Sequence, residues 1–199
     1  MKKILVTQRL DVIAAYNERR SSLDNRWFDF LDHVGLEAVL VPNHPSSVGK
    51  YLRKSIDGLL LTGGGSAPER DETEALLLEH CLRERIPVLG VCRGMQLIQK
   101  HFGAELMKIE NHVAVRHQII RLNSRSKFFV ELQSLKDVNS YHDYGSRSSG
   151  NGLLVCASSP DGIIEAIEHP EQAIWGQMWH PERETVFTSA DSNIFKNFF

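Results

Sequence analysis

The chain has 199 residues, 42% apolar and 24% charged, with a formal net charge of −2. That length suits one domain with a full hydrophobic core, and the balance excludes disordered, collagenous and coiled-coil chains. No apolar run reaches the roughly 18–20 residues that span a bilayer, and a near-neutral charge gives no global pull toward nucleic acid or an anionic membrane.

In chain order, the basic start is followed only by Ile4-Leu5-Val6 before polar residues return. That stretch is too short for a secretory signal and reads as a buried strand. A helix is expected over residues 16–34, closed by Gly35 at its C-terminal cap. Strands follow at 38–41, 58–62 and 87–91. A helix over 71–85 separates the last two, with acids in its first turn and bases in its last. Continuous apolar strands alternating with helices imply βαβ units and a parallel sheet covered on both faces. Past Gly103 the pattern changes. Strand-like pieces at 115–122, 153–157, 163–167 and 173–179 read as an antiparallel extension of the same sheet, with a tight turn at Pro160-Asp161-Gly162 and a closing helix over 192–199. The expected fold is α/β, with residues 1–199 as one domain. Three cysteines are too few for a disulfide framework and favour a reducing, cytoplasmic setting.

Three features carry chemistry. Gly90-Val91-Cys92-Arg93-Gly94 joins a buried strand to a helical pattern, with glycines two before and two after the cysteine, as a nucleophile elbow requires. At a helix N-terminus the dipole and free N–H groups favour a thiolate. In Trp179-His180-Pro181-Glu182, Pro181 keeps His180 out of a helix. Residues two apart in an extended segment point to one side, so Glu182 can orient the imidazole that serves the thiol as base. Thr62-Gly63-Gly64-Gly65 follows a parallel strand, where glycines let backbone N–H groups face an oxyanion. Each alone has a plain reading: a buried cysteine, a structural histidine, a flexible turn. Together, at strand C-terminal ends, they make an acyl-transfer site. Cys81 and Cys156 read as core, and Trp175 and Trp179 as core or pocket wall.

These motifs, with Met95-Gln96 and Val138-Asn139-Ser140-Tyr141-His142, resemble the class I glutamine amidotransferase-like superfamily, which carries a Cys-His-Glu triad on a flavodoxin-like, three-layer fold. The resemblance implies that Cys92 attacks a γ-glutamyl carbonyl, that His180 shuttles the proton and that Glu182 holds His180. It gives the oxyanion hole to N–H groups of Arg93 and of Gly64 or Gly65. Gln96, Asn139, Ser140, Tyr141 and His142 would grip the glutamyl group, and no cofactor is implied.

Arg70-Asp71 and the stretch 86–97 are similar to the γ-glutamyl hydrolase branch, although the chain lacks some of the insertions expected of that branch. Thr7-Gln8-Arg9, Tyr16, Glu18-Arg19, Leu23-Asp24, Trp27, Glu110-Asn111-His112 and His117 are similar to those of its members that act on a cytidine-diphosphate-linked γ-glutamyl phosphoramidate. Arg9 and Arg19, with Arg20, are then candidates for a diphosphate, whose oxygens suit guanidinium forks. For Arg19 and Arg20 a solvated helix face is the plain alternative. His112, His117 and His142 match no structural zinc spacing, so no metal is expected. The expected partner is a small γ-glutamyl substrate, nucleotide-linked or of the γ-glutamyl-γ-aminobutyrate type. A synthase receiving ammonia from a glutaminase subunit is the alternative, with a second copy of the chain as the other protein partner considered. A non-enzymatic module fits poorly with an intact Cys92, His180 and Glu182.

Overall fold

The structure, a computed structural model, describes residues 1–53 and 55–199. Its first half contains β1 (Lys2–Thr7), β2 (Arg9–Ile13), β3 (Glu18–Ser22), α1 (Arg26–Val34), β4 (Leu36–Val41), α2 (Val48–Leu52), β5 (Gly58–Leu61), α3 (Pro68–Arg83), β6 (Val88–Val91) and α4 (Arg93–His101). The second half adds β7 (Met107–Lys108), β8 (Val113–His117), α5 (Phe129–Ser134), β9 (Val138–Tyr141), β10 (Tyr144–Gly145), β11 (Leu154–Ser158), β12 (Ile164–Glu168), β13 (Ile174–Gln177) and α6 (Ser189–Phe198).

Seven strands form the central sheet in the order β11-β12-β13-β6-β5-β1-β4. From β13 to β4 all neighbours are parallel, whereas β12 pairs antiparallel with both β13 and β11. Because strand side chains alternate, one strand feeds two cores. Ile4 and Val6 face a layer containing Trp27, Phe30 and Phe195 of α1 and α6, while Leu5 faces Leu77 and Cys81 of α3 and Met95 of α4. This is the expected three-layer α/β arrangement with an antiparallel extension. Cys81 and Cys156 are both buried, and burial pushes each thiol up to about 12.

Two segments differ from expectation. Residues 9–22 form a hairpin, β2–β3, with Arg9 opposite Ser22, Ile13 opposite Glu18 and Asn17 left-handed at φ 49° in the connection. The helix begins only at Arg26, whose N–H donates to Asp24 Oδ1 at 3.1 Å. Asp24 thus stops the preceding chain and caps the helix, a local contest that apolar spacing alone does not reveal. Gly35 closes α1 in the left-handed region, as expected. The expected strand over 115–122 is shorter and starts earlier, as β8. It pairs with β9 in a separate ribbon outside the central sheet, and Ile120 alone bridges to Ser158 of that sheet. Gly162, at φ 86°, donates its N–H to Ser159 O and closes the tight turn before β12. Among the described residues no helix is long and apolar enough to cross a membrane.

Candidate active site

Cys92 stands between β6 and α4 with φ 53° and ψ −109°, a conformation that non-glycine residues seldom adopt. The bend is possible because α4 lies almost on the sheet: a Cβ on Gly94 would sit 2.1 Å from Leu61 O, and one on Gly90 2.5 Å from the Gly94 carbonyl carbon. The glycines flanking Cys92 are therefore steric requirements of the elbow. Cys92 N–H donates to Gln177 O at 2.8 Å, tying the turn to β13.

The strand β13 leads into His180, kept extended at φ −107° and ψ 97° before Pro181. A single 3-10 turn over Pro181–Arg183 brings Glu182 back, so that His180 Nδ1 and Glu182 Oε1 are 2.7 Å apart. Asn139 clamps the same backbone from β9, donating to His180 O at 2.8 Å and accepting from His180 N–H at 2.9 Å. Burial alone disfavours the imidazolium. The Glu182 charge, then Cys92 beside the ring, outweigh burial and carry His180 up to about 9.

The glycine loop meets this pair through Gly63. A Cβ there would lie 2.6 Å from His180 Cε1 and 3.4 Å from Cys92 Cβ, so a side chain at this position would displace the imidazole. Arg70, wholly buried on α3, donates to the carbonyls of Thr62 (2.8 Å), Gly63 (3.1 Å) and Gly65 (3.1 Å). In trans peptides the next N–H points opposite its carbonyl, so those of Gly63, Gly64 and Ser66 turn away from the guanidinium. Glu74 pairs Arg70 Nε at 2.9 Å through one oxygen and Arg93 Nη1 through the other, joining α3, the loop and the start of α4.

The geometry so assembled belongs to a chain whose residues 65–182 match the family Peptidase C26. The chain belongs to that family. It is 31% identical over 204 residues to the gamma-glutamyl-CDP-amidate hydrolase of Campylobacter jejuni subsp. jejuni, covering 98% of this chain and 96% of that protein. It is 27% identical to a subunit of the glutamine-hydrolyzing GMP synthase of Picrophilus torridus, covering 83% of this chain and 85% of that one. Among solved structures, a Thermoplasma acidophilum protein assigned as a GMP synthase subunit superposes with a TM-score of 0.76 at 26% identity, covering all of this chain and 92% of its own. The protein is thus a glutamine amidotransferase-like Peptidase C26 hydrolase.

Two depressions flank the glycine loop. On one side a narrow cleft is lined by Arg9, Asp24, Trp27, Gly63, His180 and Arg183. On the other an open groove of about 760 Å³ is lined by Gly64, Gly65, Arg93, Gln96, Lys100 and Tyr144. The expected residues divide between these places. Arg9 lines the cleft, its Nε donating to Ser22 Oγ at 3.2 Å. Arg19 pairs with Glu69, and Arg20 with Glu18 at 2.9 Å. Gln96 lies in the groove and donates to Tyr144 O at 2.8 Å. Tyr141 stands edge-on to the His180 ring at 5.8 Å, with the Arg183 guanidinium 4.3 Å from the centre of the phenol ring. Ser140 Oγ donates to His112 O at 2.6 Å, so it braces the ribbon. His142 is buried, which lowers it to about 3.

Sequence reasoning attaches no role to Arg70, Arg183 or Glu165, and places Gly63 only as one of three glycines in the oxyanion loop. Gly63 and Arg70 stand within or beside recognisable motifs, but nothing local separates the glycine that touches His180 from its two neighbours. Glu165, buried in β12 and pushed well up by that burial, lies in an ordinary strand pattern.

Proposed function

We propose that the protein hydrolyses a γ-glutamyl amide through a glutamyl thioester on Cys92. The observation carrying this reading is the placement of Cys92, His180 and Glu182 side by side: His180 Nδ1 is 2.7 Å from Glu182 Oε1, and the other edge of the ring meets Gly63 together with Cys92. His180 takes the thiol proton, and the Cys92 sulfur attacks the γ-carbonyl. The tetrahedral oxyanion is received by N–H groups of Arg93 and of Gly64 or Gly65. His180 then protonates the leaving nitrogen, and a water, deprotonated by the same imidazole, releases glutamate. These steps draw only on the chain's own groups and one water.

The leaving group lies on the His180 side, because its nitrogen receives the imidazolium proton. That side is the cleft with the Arg9 and Arg183 guanidiniums, while Gln96 and the groove serve the glutamyl part. An anionic leaving group suits two guanidiniums. Together with the resemblance to the Campylobacter hydrolase along almost the whole chain, this favours γ-glutamyl-CDP-amidate as substrate. The similarity to GMP synthase subunits supports a second reading, a glutaminase delivering ammonia to a separate synthase.

Glutamate release from γ-glutamyl-CDP-amidate, γ-glutamyl-γ-aminobutyrate and glutamine, without added protein, separates them. The proposal expects the highest kcat/KM on the nucleotide, reduced in Arg9→Ala mainly through KM. No release from any of the three, followed by glutamine turnover once a synthase is added, would establish the second reading.

The charge on Glu182 also sets a pH dependence. A carboxylate favours the protonated ring, so Glu182→Gln lowers the His180 pKa from its value of about 9. The alkaline fall in kcat/KM is expected to move to lower pH, with the plateau reduced by about 10²-fold. A pH–rate profile with an unmoved alkaline limb would show that another group governs the imidazole.

A further inference from the structure

Beside the triad, and made of none of its residues, three histidines and a glutamate converge at one point, near enough for Cys92 to act on Glu165 and His180 on His142. His112 lies just before β8, His117 ends β8, His142 follows β9, and Glu165 comes from β12 of the central sheet. One ligand atom from each lies within 4.8 Å of all the others. Glu165 Oε1 is 3.6 Å from His112 Nδ1, 3.6 Å from His117 Nε2 and 3.7 Å from His142 Nε2. Those separations are too long for hydrogen bonds. They approach the roughly 3.3–3.5 Å between neighbouring ligand atoms that tetrahedral geometry imposes at zinc–nitrogen and zinc–oxygen bond lengths.

The outer nitrogens determine which inner ones carry lone pairs. His112 Nε2 faces Asp161 Oδ2 at 3.2 Å, His117 Nδ1 faces Gln118 O at 3.1 Å, and His142 Nδ1 faces Tyr144 O at 3.0 Å. Each acceptor calls for an N–H on that side, which leaves the other nitrogen of every ring with a bare lone pair. All three lone pairs point toward a carboxylate. His112 Nδ1, His117 Nε2, His142 Nε2 and both Glu165 oxygens are buried without a hydrogen-bond partner among the described residues. With Glu165 ionised these acceptors repel one another around one point, and a cation standing there, or a proton on the carboxylate, removes the repulsion. Histidine ligands whose second N–H is held by a carboxylate or a backbone carbonyl are the usual surroundings of a bound transition metal.

The backbone is shaped to the same end. Residues five apart in a regular strand face opposite sides, which would separate His112 from His117. Ala114, at φ 55°, forms a bulge against β9, and this added residue returns both rings to one face. A positive φ on alanine is costly, and the side chains it aligns are two of the four acceptors.

We propose that His112, His117, His142 and Glu165 form a zinc-type divalent metal site that fastens the β8–β9 ribbon to the central sheet. Four protein ligands leave no open position, so the site is structural. Its effect on the triad is one of position: the ribbon it holds carries Asn139, which clamps the His180 backbone, and Tyr141, which packs on the ring. The ligands come from three separate segments, so no short sequence spacing announces them.

The test uses the full chain carrying Cys92→Ala, which removes the thiol as a competing zinc ligand. After exhaustive chelation, Zn²⁺ titration is expected to saturate at one ion per chain and raise the thermal midpoint by several degrees. Co²⁺ in its place is expected to show the visible absorption of a four-coordinate ion. In the same background His117→Gln, whose ring is nearest the surface, and Glu165→Gln are expected to weaken Zn²⁺ binding by 10-fold or more. Their own folding is checked by circular dichroism, and the titration of the Cys92→Ala chain stands whether or not they fold. Substoichiometric Zn²⁺ with an unchanged thermal midpoint would overturn the proposal, leaving a protonated Glu165 among neutral histidines. Stoichiometric binding undiminished in folded His117→Gln and Glu165→Gln would overturn it as well, by placing the ion elsewhere.

Discussion

Cys92→Ala is expected to abolish glutamate release, with a loss of at least about 10³-fold, while the protein keeps its native unfolding transition. The magnitude follows from the chemistry: without a nucleophile there is no thioester, and the remaining oxyanion donors act on a direct attack by water. Stability is expected to fall by no more than about 1–2 kcal/mol, because one buried sulfur is lost while the backbone at φ 53° is unchanged. Cys81 and Cys156 are no substitutes, since burial holds both thiols up at about 12 and each faces a core. A Cys92→Ala protein with wild-type glutamate release would remove the mechanism.

The second large effect is on the frame around Cys92 and His180. Arg70→Ala is expected to destabilise the fold by about 3–5 kcal/mol, read from urea unfolding midpoints at constant m value. Arg70 is wholly buried and supplies donors to three carbonyls of the glycine loop, and truncation leaves them without that partner. It also leaves Glu74, equally buried, with Arg93 as its remaining charge partner. Burial lowers the Arg70 pKa, but the Glu74 charge opposes that, and the guanidinium remains charged at neutral pH. Arg70→Lys is expected to fall between the two, because an ammonium has fewer donors and no planar fork. A loss below about 1 kcal/mol for the alanine variant would show that the loop holds its shape without the clamp.

What the sequence disclosed follows the range of the interactions involved. The parallel strands were legible because burial on both faces demands unbroken apolar runs, as in Leu59-Leu60-Leu61 and Val88-Leu89. The elbow was legible because its glycines answer a steric demand within five residues, and the His180–Glu182 pair because Pro181 imposes local geometry. The β2–β3 hairpin was not, since Asn17 and Asp24 decide against the helix through local hydrogen bonds and a left-handed turn that apolar spacing does not record. Gly63 could not be told from Gly64 or Gly65 because only the folded loop decides which one lies under His180. Arg19 stood on an expected helix face and is instead a strand residue paired to Glu69, a partner 50 residues away. The histidine cluster depends on a bulge at Ala114 and on a strand of another sheet, neither of which leaves a motif.

The central claim is a covalent glutamyl thioester on Cys92, and acid quenching during turnover followed by peptide mass mapping tests it most directly. The account predicts a γ-glutamyl adduct on the peptide containing Cys92, formed from γ-glutamyl-CDP-amidate and absent in Cys92→Ala. Sustained glutamate release with Cys92 unmodified at every quench time would contradict it.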